Sequence, residues 1–195
     1  MKVTAKYFIG GTLTGALLVG SISIHLFQSY KVEHVRGFST QIENARVLPP
    51  NLPSDTTSQI YDVMWDWQLF NMTGEPITLL QVKGSVIFLH TWGTWCGACV
   101  QELPEIQQLY DSLKNDRVQF LLVSAEREEK IKRFLNQHPY SFPVYRTIED
   151  IPDAFRVAGV PMTFILDKSG RIRAKQLGAA LWNQPKTIRF LRNLN

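Results

Sequence analysis

Cys96 and Cys99 are the only two cysteines in a chain of 195 residues, and they stand in Thr91-Trp92-Gly93-Thr94-Trp95-Cys96-Gly97-Ala98-Cys99, directly after the apolar run Val86-Ile87-Phe88-Leu89. A strand that runs into a tight turn and then a helix puts Cys96 at a helix N-terminus, where unpaired backbone N–H groups and the helix dipole stabilise a thiolate. Cys96 is therefore the candidate nucleophile. Cys99, one turn further on and more buried, is the candidate resolving thiol, able to attack a mixed disulfide at Cys96 and release the partner. Other roles compete for the pair. A structural zinc site wants four ligands, and the sequence offers no second Cys pair, only four scattered histidines. A purely structural disulfide over so short a loop constrains the unfolded chain little. A Cu(I)- or Zn-handling dithiol module stays open as a rival from another class. The redox reading needs no cofactor beyond the Cys96–Cys99 disulfide itself.

The pair is useful only if the surrounding elements hold it. Val86 to Thr91 is predicted as a buried strand from its continuous apolar run. Val100, Leu103, Ile106, Leu109 and Leu113 recur at helical spacing, giving a long helix that Pro104 should kink. Val118 to Val123 is a second buried strand, and Glu126 to Gln137 a helix with Ile131, Phe134 and Leu135 on one face, stopped by Pro139. Phe142 to Tyr145 is a short strand, and Ile151 to Ala158 a short helix closed by Gly159. Thr163 to Leu166 and Arg171 to Gln176 flank the turn Asp167-Lys168-Ser169-Gly170. Pro185, then Ile188, Leu191 and Leu194, marks the last helix. Tyr61 to Phe70 and the turn Asn71 to Pro76 read as an N-terminal hairpin. This alternation implies an α/β fold with a central mixed sheet and helices on both faces.

Three segments are expected: an N-terminal membrane anchor or signal peptide over 1–28, an extended linker over 29–60 that contains Pro49, Pro50 and Pro53, and one globular domain over 61–195. Residues 7–27 hold no charge, with twelve apolar residues, four Gly and five Thr, Ser or His. At 1.5 Å per residue such a helix just crosses a hydrocarbon layer of roughly 30 Å. Lys2 and Lys6 favour a cytoplasmic N-terminus with the domain exported, although Lys31 and Arg36 on the far side weaken the bias. A cleaved signal peptide, with Ser21 and Ser23 at the cleavage site, is the competing reading. The formal net charge of +4 is spread along the chain without a basic and aromatic stripe, so no nucleic-acid partner is expected.

The block Trp92-Gly93-Thr94-Trp95-Cys96-Gly97-Ala98-Cys99 with Glu102-Leu103-Pro104 resembles the active site of thioredoxin-like proteins, above all the membrane-tethered TlpA/ResA branch and the cytochrome c maturation thioredoxins. Gly159-Val160-Pro161-Met162-Thr163-Phe164-Ile165-Leu166-Asp167-Lys168-Ser169-Gly170 resembles that branch's cis-proline segment and following hairpin. Gly74-Glu75-Pro76-Ile77-Thr78-Leu79 and Lys83-Gly84 resemble its opening hairpin. The likeness covers about residues 61–195 and implies a thioredoxin-like fold with an inserted helix–strand unit.

The resemblance also assigns roles that spacing alone does not. It makes Pro161 a cis-proline lying against the sulfurs, where on residues alone Val160-Pro161 is a turn. It places Trp95, Val160, Pro161 and Met162 at a substrate-docking surface, with Met162 departing from the small hydroxyl residue frequent there. It makes Glu102 a partly buried acid, where a solvated helix charge is the plain reading. His90 stands where thioredoxin has a buried Asp and this branch often Asn, so proton handling competes with a core filler. Gly97 and Ala98 lack the Pro common between the cysteines. The implied activity is a thiol:disulfide oxidoreductase at the bacterial inner membrane, single-pass, with its domain on the periplasmic side. Expected partners are cysteine-containing protein substrates and a membrane electron-donor protein. Working reductively is the first expectation and a disulfide-donating or isomerising role the alternative; a peroxidase is disfavoured because the peroxidatic motif of peroxiredoxins is absent.

Overall fold

The structure, a computed structural model, describes residues 48–52, 65–156 and 158–195. Strands β1 (Gln68–Asn71) and β2 (Pro76–Thr78) form an antiparallel hairpin. Its turn is fixed by Asn71, whose Oδ1 accepts from Thr73 N–H, Thr73 Oγ1–H and Glu75 N–H, and by Gly74 at φ 85°. The apolar run becomes β3 (Val86–Thr91), buried at all six positions. It runs parallel to β4 (Val118–Ser124) and antiparallel to β6 (Met162–Leu166). With β5 (Val144–Arg146) and β7 (Ile172–Leu177) this gives a mixed seven-stranded sheet in the order β2-β1-β5-β4-β3-β6-β7. The helices are α1 (Gly97–Leu113), α2 (Glu128–Gln137) and α3 (Pro185–Asn193).

Because side chains alternate across a strand, β3 serves two cores at once. Val86 and Phe88 face the α-helical side, packing with Leu103, Ile106 and Leu109 of α1, Ile131 of α2 and Leu191 of α3. Trp182 stands edge-on to Phe88 at 5.0 Å between ring centroids and closes that layer. Ile87 and Leu89 face the other side with Leu69, Leu79, Phe155 and Phe164. There the helical cover is two 3-10 turns, Leu79–Val82 and Asp153–Phe155. The same alternation puts His90 on the Phe88 side, above α1.

The structure differs from the sequence expectation in places with identifiable causes. The short helix expected over Ile151 to Ala158 is only the turn Asp153–Phe155: Pro152 starts it, and Arg156 is already extended at ψ 130°. One turn suffices to seat Phe155, fully buried and 5.2 Å from Phe164 and 5.7 Å from Trp67 by ring centroids. Helix α2 begins at Glu128 rather than Glu126, because its N-cap Arg127 is extended at ψ 142°. The helical hydrogen bonding of α1 runs through Pro104, which has no N–H to give the Val100 carbonyl. Part of the expected linker belongs to the domain: Leu48 bridges to Ala180 in parallel, and Leu52 is buried in the α-helical-side core. The expected anchor, the rest of that linker and the start of the hairpin segment lie outside the described residues. Among the described residues no helix is long and apolar enough to cross a membrane.

Phe155 is the aromatic that the 3-10 turn exists to bury, so Phe155→Ala should cost about 3–5 kcal/mol in denaturant unfolding. A loss below about 1 kcal/mol would show that the second core is held elsewhere.

Candidate active site

Five residues, Trp92 to Cys96, lie between the last residue of β3 and the first of α1, and this short connection builds the site. Trp92 N–H bonds the Val123 carbonyl across the sheet, and Cys96 N–H closes back on the Gly93 carbonyl at 3.1 Å. Thr94 donates its backbone N–H and, at 3.0 Å, its hydroxyl to Glu126, so the turn is fastened to the end of β4. The Trp95 indole folds over Gly93: a Cβ there would come within 2.7 Å of the indole nitrogen, so a larger residue would turn this exposed ring aside. Trp95 is 69% exposed, whereas Trp92 is buried and packs on Phe134 at 5.4 Å.

Cys96 is the N-cap of α1, with extended φ −89° and ψ 104°, and its sulfur accepts the Cys99 N–H at 3.2 Å. The helix N-terminus thus directs an N–H and its dipole at the sulfur. The two cysteines are joined as a disulfide with Cα atoms 5.2 Å apart. Cys96 keeps 7% of its surface exposed and Cys99 none, so only one sulfur is open to a partner. The Val160–Pro161 bond is cis, and the Val160 carbonyl oxygen lies 3.7 Å from Cys96 Sγ. The Val160 backbone borders the sulfur on one side. Met162 does not join it: its side chain is buried in the second core with Ile87 and Leu89, because Thr163 rather than Met162 faces α1. It therefore adds no apolar side chain to a docking surface.

Below the disulfide lies a buried polar pair. Glu102, one turn after Cys99 on α1, is 1% exposed, and its Oε2 accepts the Ala180 N–H at 3.1 Å and the Trp182 Nε1–H at 2.7 Å. Its Oε1 faces His90 Nε2 at 3.6 Å, and neither atom has another hydrogen-bond partner. His90 Nδ1 is 2.9 Å from the Thr163 hydroxyl, its direct partner across β3 and β6. Burial raises the Glu102 carboxyl to about 7, a rise that the Trp182 and Ala180 donors hold back. Burial lowers His90 to about 3. At neutral pH the imidazole is therefore uncharged, and the carboxyl holds its proton to far higher pH than an exposed acid does. Two bare acceptors cannot face each other stably, so one proton belongs between Oε1 and Nε2. With Glu102 protonated, its O–H points at Nε2. With Glu102 ionised, the imidazole takes the tautomer that donates from Nε2, while Nδ1 accepts from Thr163.

The structure thus joins Cys96 to Cys99, sets the Val160 carbonyl of the cis Val160–Pro161 bond beside Cys96, leaves Trp95 exposed next to it in the chain, and buries Glu102 with His90. Sequence reasoning missed Ala180, Trp182 and Thr163, which fix the acid and the imidazole from positions over seventy residues away. It also missed Glu126, which holds the turn. Only the β-register could have pointed to Thr163. Among the described residues no group of three or more His, Cys, Asp or Glu side chains is arranged to hold a metal ion.

The profile of the AhpC/TSA family matches residues 60–175, more than half of the chain. The chain belongs to the AhpC/TSA family. This family member is similar to the thiol-disulfide oxidoreductase ResA of Bacillus thuringiensis (strain Al Hakam), 32% identical over 110 residues that make up 55% of this chain and 64% of that protein. It is also 31% identical over 110 residues to ResA of Geobacillus kaustophilus (strain HTA426), again covering 55% of this chain and 63% of that protein. The match spans less than two thirds of these relatives. Among solved structures, StoA from Bacillus subtilis superposes with TM-score 0.53 at 22% identity, over 73% of this chain and 98% of that one. The thioredoxin domain of a thiol-disulfide oxidoreductase from Bacteroides vulgatus does so with TM-score 0.57 at 22% identity, over 64% and 91%. Both fix the fold as thioredoxin-like.

The Glu102 carboxyl has a raised pKa in the folded state, so its contribution to stability is complete below the ordinary value of 4.5 and is lost as pH rises through about 7. His90 is depressed, so its contribution is complete above 6.5 and is lost as pH falls towards about 3. The two nearly compensate between those ordinary values. Glu102→Gln removes the titrating acid: relative to the unsubstituted protein, it should gain stability as pH rises from 4 to 8, read by urea unfolding of the oxidised protein. A constant difference across that range would place Glu102 in solvent-like surroundings.

Proposed function

We propose that this chain is a thiol:disulfide oxidoreductase acting on cysteine-containing proteins. The observation that carries the reading is the asymmetric disulfide, with Cys96 at a helix N-terminus and keeping 7% of its surface exposed and Cys99 fully buried. The ResA relatives bear the same activity in their names. In the reductive direction the Cys96 thiolate attacks a substrate disulfide. A Cys96–substrate S–S bond forms, the substrate S–S bond breaks, and the first substrate sulfur leaves as a thiolate that takes a proton from water. Cys99 then gives up its proton and attacks Cys96 Sγ, expelling the second substrate sulfur and forming the Cys96–Cys99 disulfide. Two electrons have passed to the substrate. In this reading the Glu102–His90 pair receives the Cys99 proton: Glu102 lies one turn away on the same helix, and the pair has a vacant proton position whenever Glu102 is ionised. The pair acts as a unit rather than as two independent bases.

The cellular setting is part of the same proposal. The uncharged stretch 7–27 preceded by Lys2 and Lys6 supports a single-pass anchor in the bacterial inner membrane with the domain on the periplasmic side. A domain held there would receive electrons from a membrane electron-donor protein and pass them to exported proteins such as apocytochromes c or metal-site proteins. Docking of substrate uses Trp95 and the Val160–Pro161 backbone, which borders Cys96 and offers main-chain groups to an extended segment.

Cys99→Ser should accumulate mixed disulfides through Cys96, seen as mass adducts that a reductant removes, while Cys96→Ser should accumulate none. Adducts on Cys99 in the Cys96→Ser protein would reverse the roles. A potential for the couple near the thioredoxin value of about −270 mV supports the reductive direction, whereas one near the DsbA value of about −120 mV would make the protein a disulfide donor.

A further inference from the structure

The hydrogen bonds that Glu102 receives come from the loop after β7, and that loop has no regular structure of its own to keep it in place. Gly178 N–H is held by the Pro161 carbonyl at 2.9 Å, and Asn183 N–H by Glu105 of α1 at 3.2 Å. Between these two fastenings lie Ala180 and Trp182, the donors to Glu102. What fastens the middle is a piece of chain that sequence alone reads as linker. Leu48 pairs in parallel with Ala180, and its carbonyl accepts the Leu181 N–H at 2.9 Å. Four residues on, Leu52 is 4% exposed in the same core cluster as Trp182, Cys96 and Cys99. Between them, Asn51 N–H is held by Gln176 Oε1 of β7 at 3.0 Å.

The ordering of five residues is entropically unfavourable, by roughly 1–2 kcal/mol for each backbone unit. The two hydrogen bonds that act against that cost fall on the loop and on β7 beside it, and Leu52 is buried in the α-helical-side core. We propose that Leu48–Leu52 is a positioning strap for the buried acid, holding the Ala180–Leu181 backbone at the place where Ala180 N–H reaches Glu102 Oε2. It touches no sulfur and does no chemistry. Its effect passes through the donor: with the strap displaced, the loop moves, the carboxylate loses an N–H, and its ionised form is less stabilised. The titratable groups facing this site are His90 from β3, the two cysteines from the start of α1 and, at the loop's far end, Glu105; the strap itself carries none. The consequence for exchange chemistry rests on the function proposed above, but the positioning claim does not.

The test uses the full-length oxidised protein with two substitutions that reach the strap differently. Leu52→Ala removes its buried anchor, and Gln176→Ala removes the acceptor for Asn51 N–H from a partly exposed site where the fold tolerates change. Amide hydrogen exchange at Leu181 reports strap docking, and the 13C-detected titration of the Glu102 carboxyl, assigned through Glu102→Gln, reports the acid. Each variant should exchange Leu181 N–H roughly tenfold faster and move the Glu102 midpoint upward by about half a pH unit. Faster Leu181 exchange with an unmoved or lowered Glu102 midpoint overturns the proposal by making the segment structural only. Unchanged Leu181 exchange in Gln176→Ala and in folded Leu52→Ala overturns it by showing that the segment does not hold the loop. Neither readout involves disulfide exchange, so failure here leaves the proposed activity standing, and a protein without that activity can still show the shift.

Discussion

A carboxyl group buried beside an imidazole and a disulfide is costly to keep ionised, by several kcal/mol, unless donors or a shared proton compensate. Glu102 is such a group, and much of the fold exists to satisfy it halfway. One oxygen receives two hydrogen bonds, from Ala180 and from Trp182, while the other is left facing His90. Had both oxygens been fully solvated by donors, the acid would titrate like an ordinary surface carboxyl and could hold no proton near neutrality. Had neither been, it would stay protonated throughout the physiological range. Burial raises its pKa to about 7, and the Trp182 and Ala180 donors hold that rise back.

That constraint links distant parts of the chain. Trp182 must be buried to reach Glu102, and in the same position it packs edge-on against Phe88 and completes the core. His90 must lie on the helical face of β3, which period-two alternation from Phe88 guarantees, and Thr163 opposite it keeps the ring oriented. The surface half of the site follows a different logic. Cys96 caps α1 with its sulfur, and the turn before it is pinned to Glu126 and to the Gly93 carbonyl. The place of the Cys96 sulfur is thus set by local helix geometry, whereas the surroundings of Glu102 and His90 are set by tertiary contacts.

This division explains what could be read from sequence. The strand Val86–Thr91, the long helix after it and the place of Cys96 at the helix start follow from a short apolar run and residue spacing, which are local signals. The importance of Glu102 became visible only through family resemblance, because on a helix wheel it is one charge among several. Ala180 and Trp182 carry no local mark of their role, since nothing within ten residues shows that the loop after β7 returns to α1. The short helix expected around Phe155 failed for a local reason: Pro152 and an extended Arg156 leave room for a single 3-10 turn. Met162 was misread in its direction, since the alternation of β6 sends Thr163 towards the site and Met162 away from it. Leu48–Leu52 looked like linker because Pro49 and Pro50 mark extended chain, and an extended chain can also be a docked one.

The central claim is a dithiol whose two members differ in kind, with Cys96 set by the helix start and Cys99 governed by the acid and imidazole behind it. Its most direct test is residue-resolved alkylation of the reduced protein by mass spectrometry from pH 5 to 9, in the unsubstituted chain and in Glu102→Gln. The account predicts that Cys96 is labelled first at every pH. It also predicts that the labelling profile of Cys99 changes form around pH 7 in the unsubstituted chain and loses that feature in Glu102→Gln. Equal labelling of the two cysteines, or a Cys99 profile indifferent to Glu102, would contradict it.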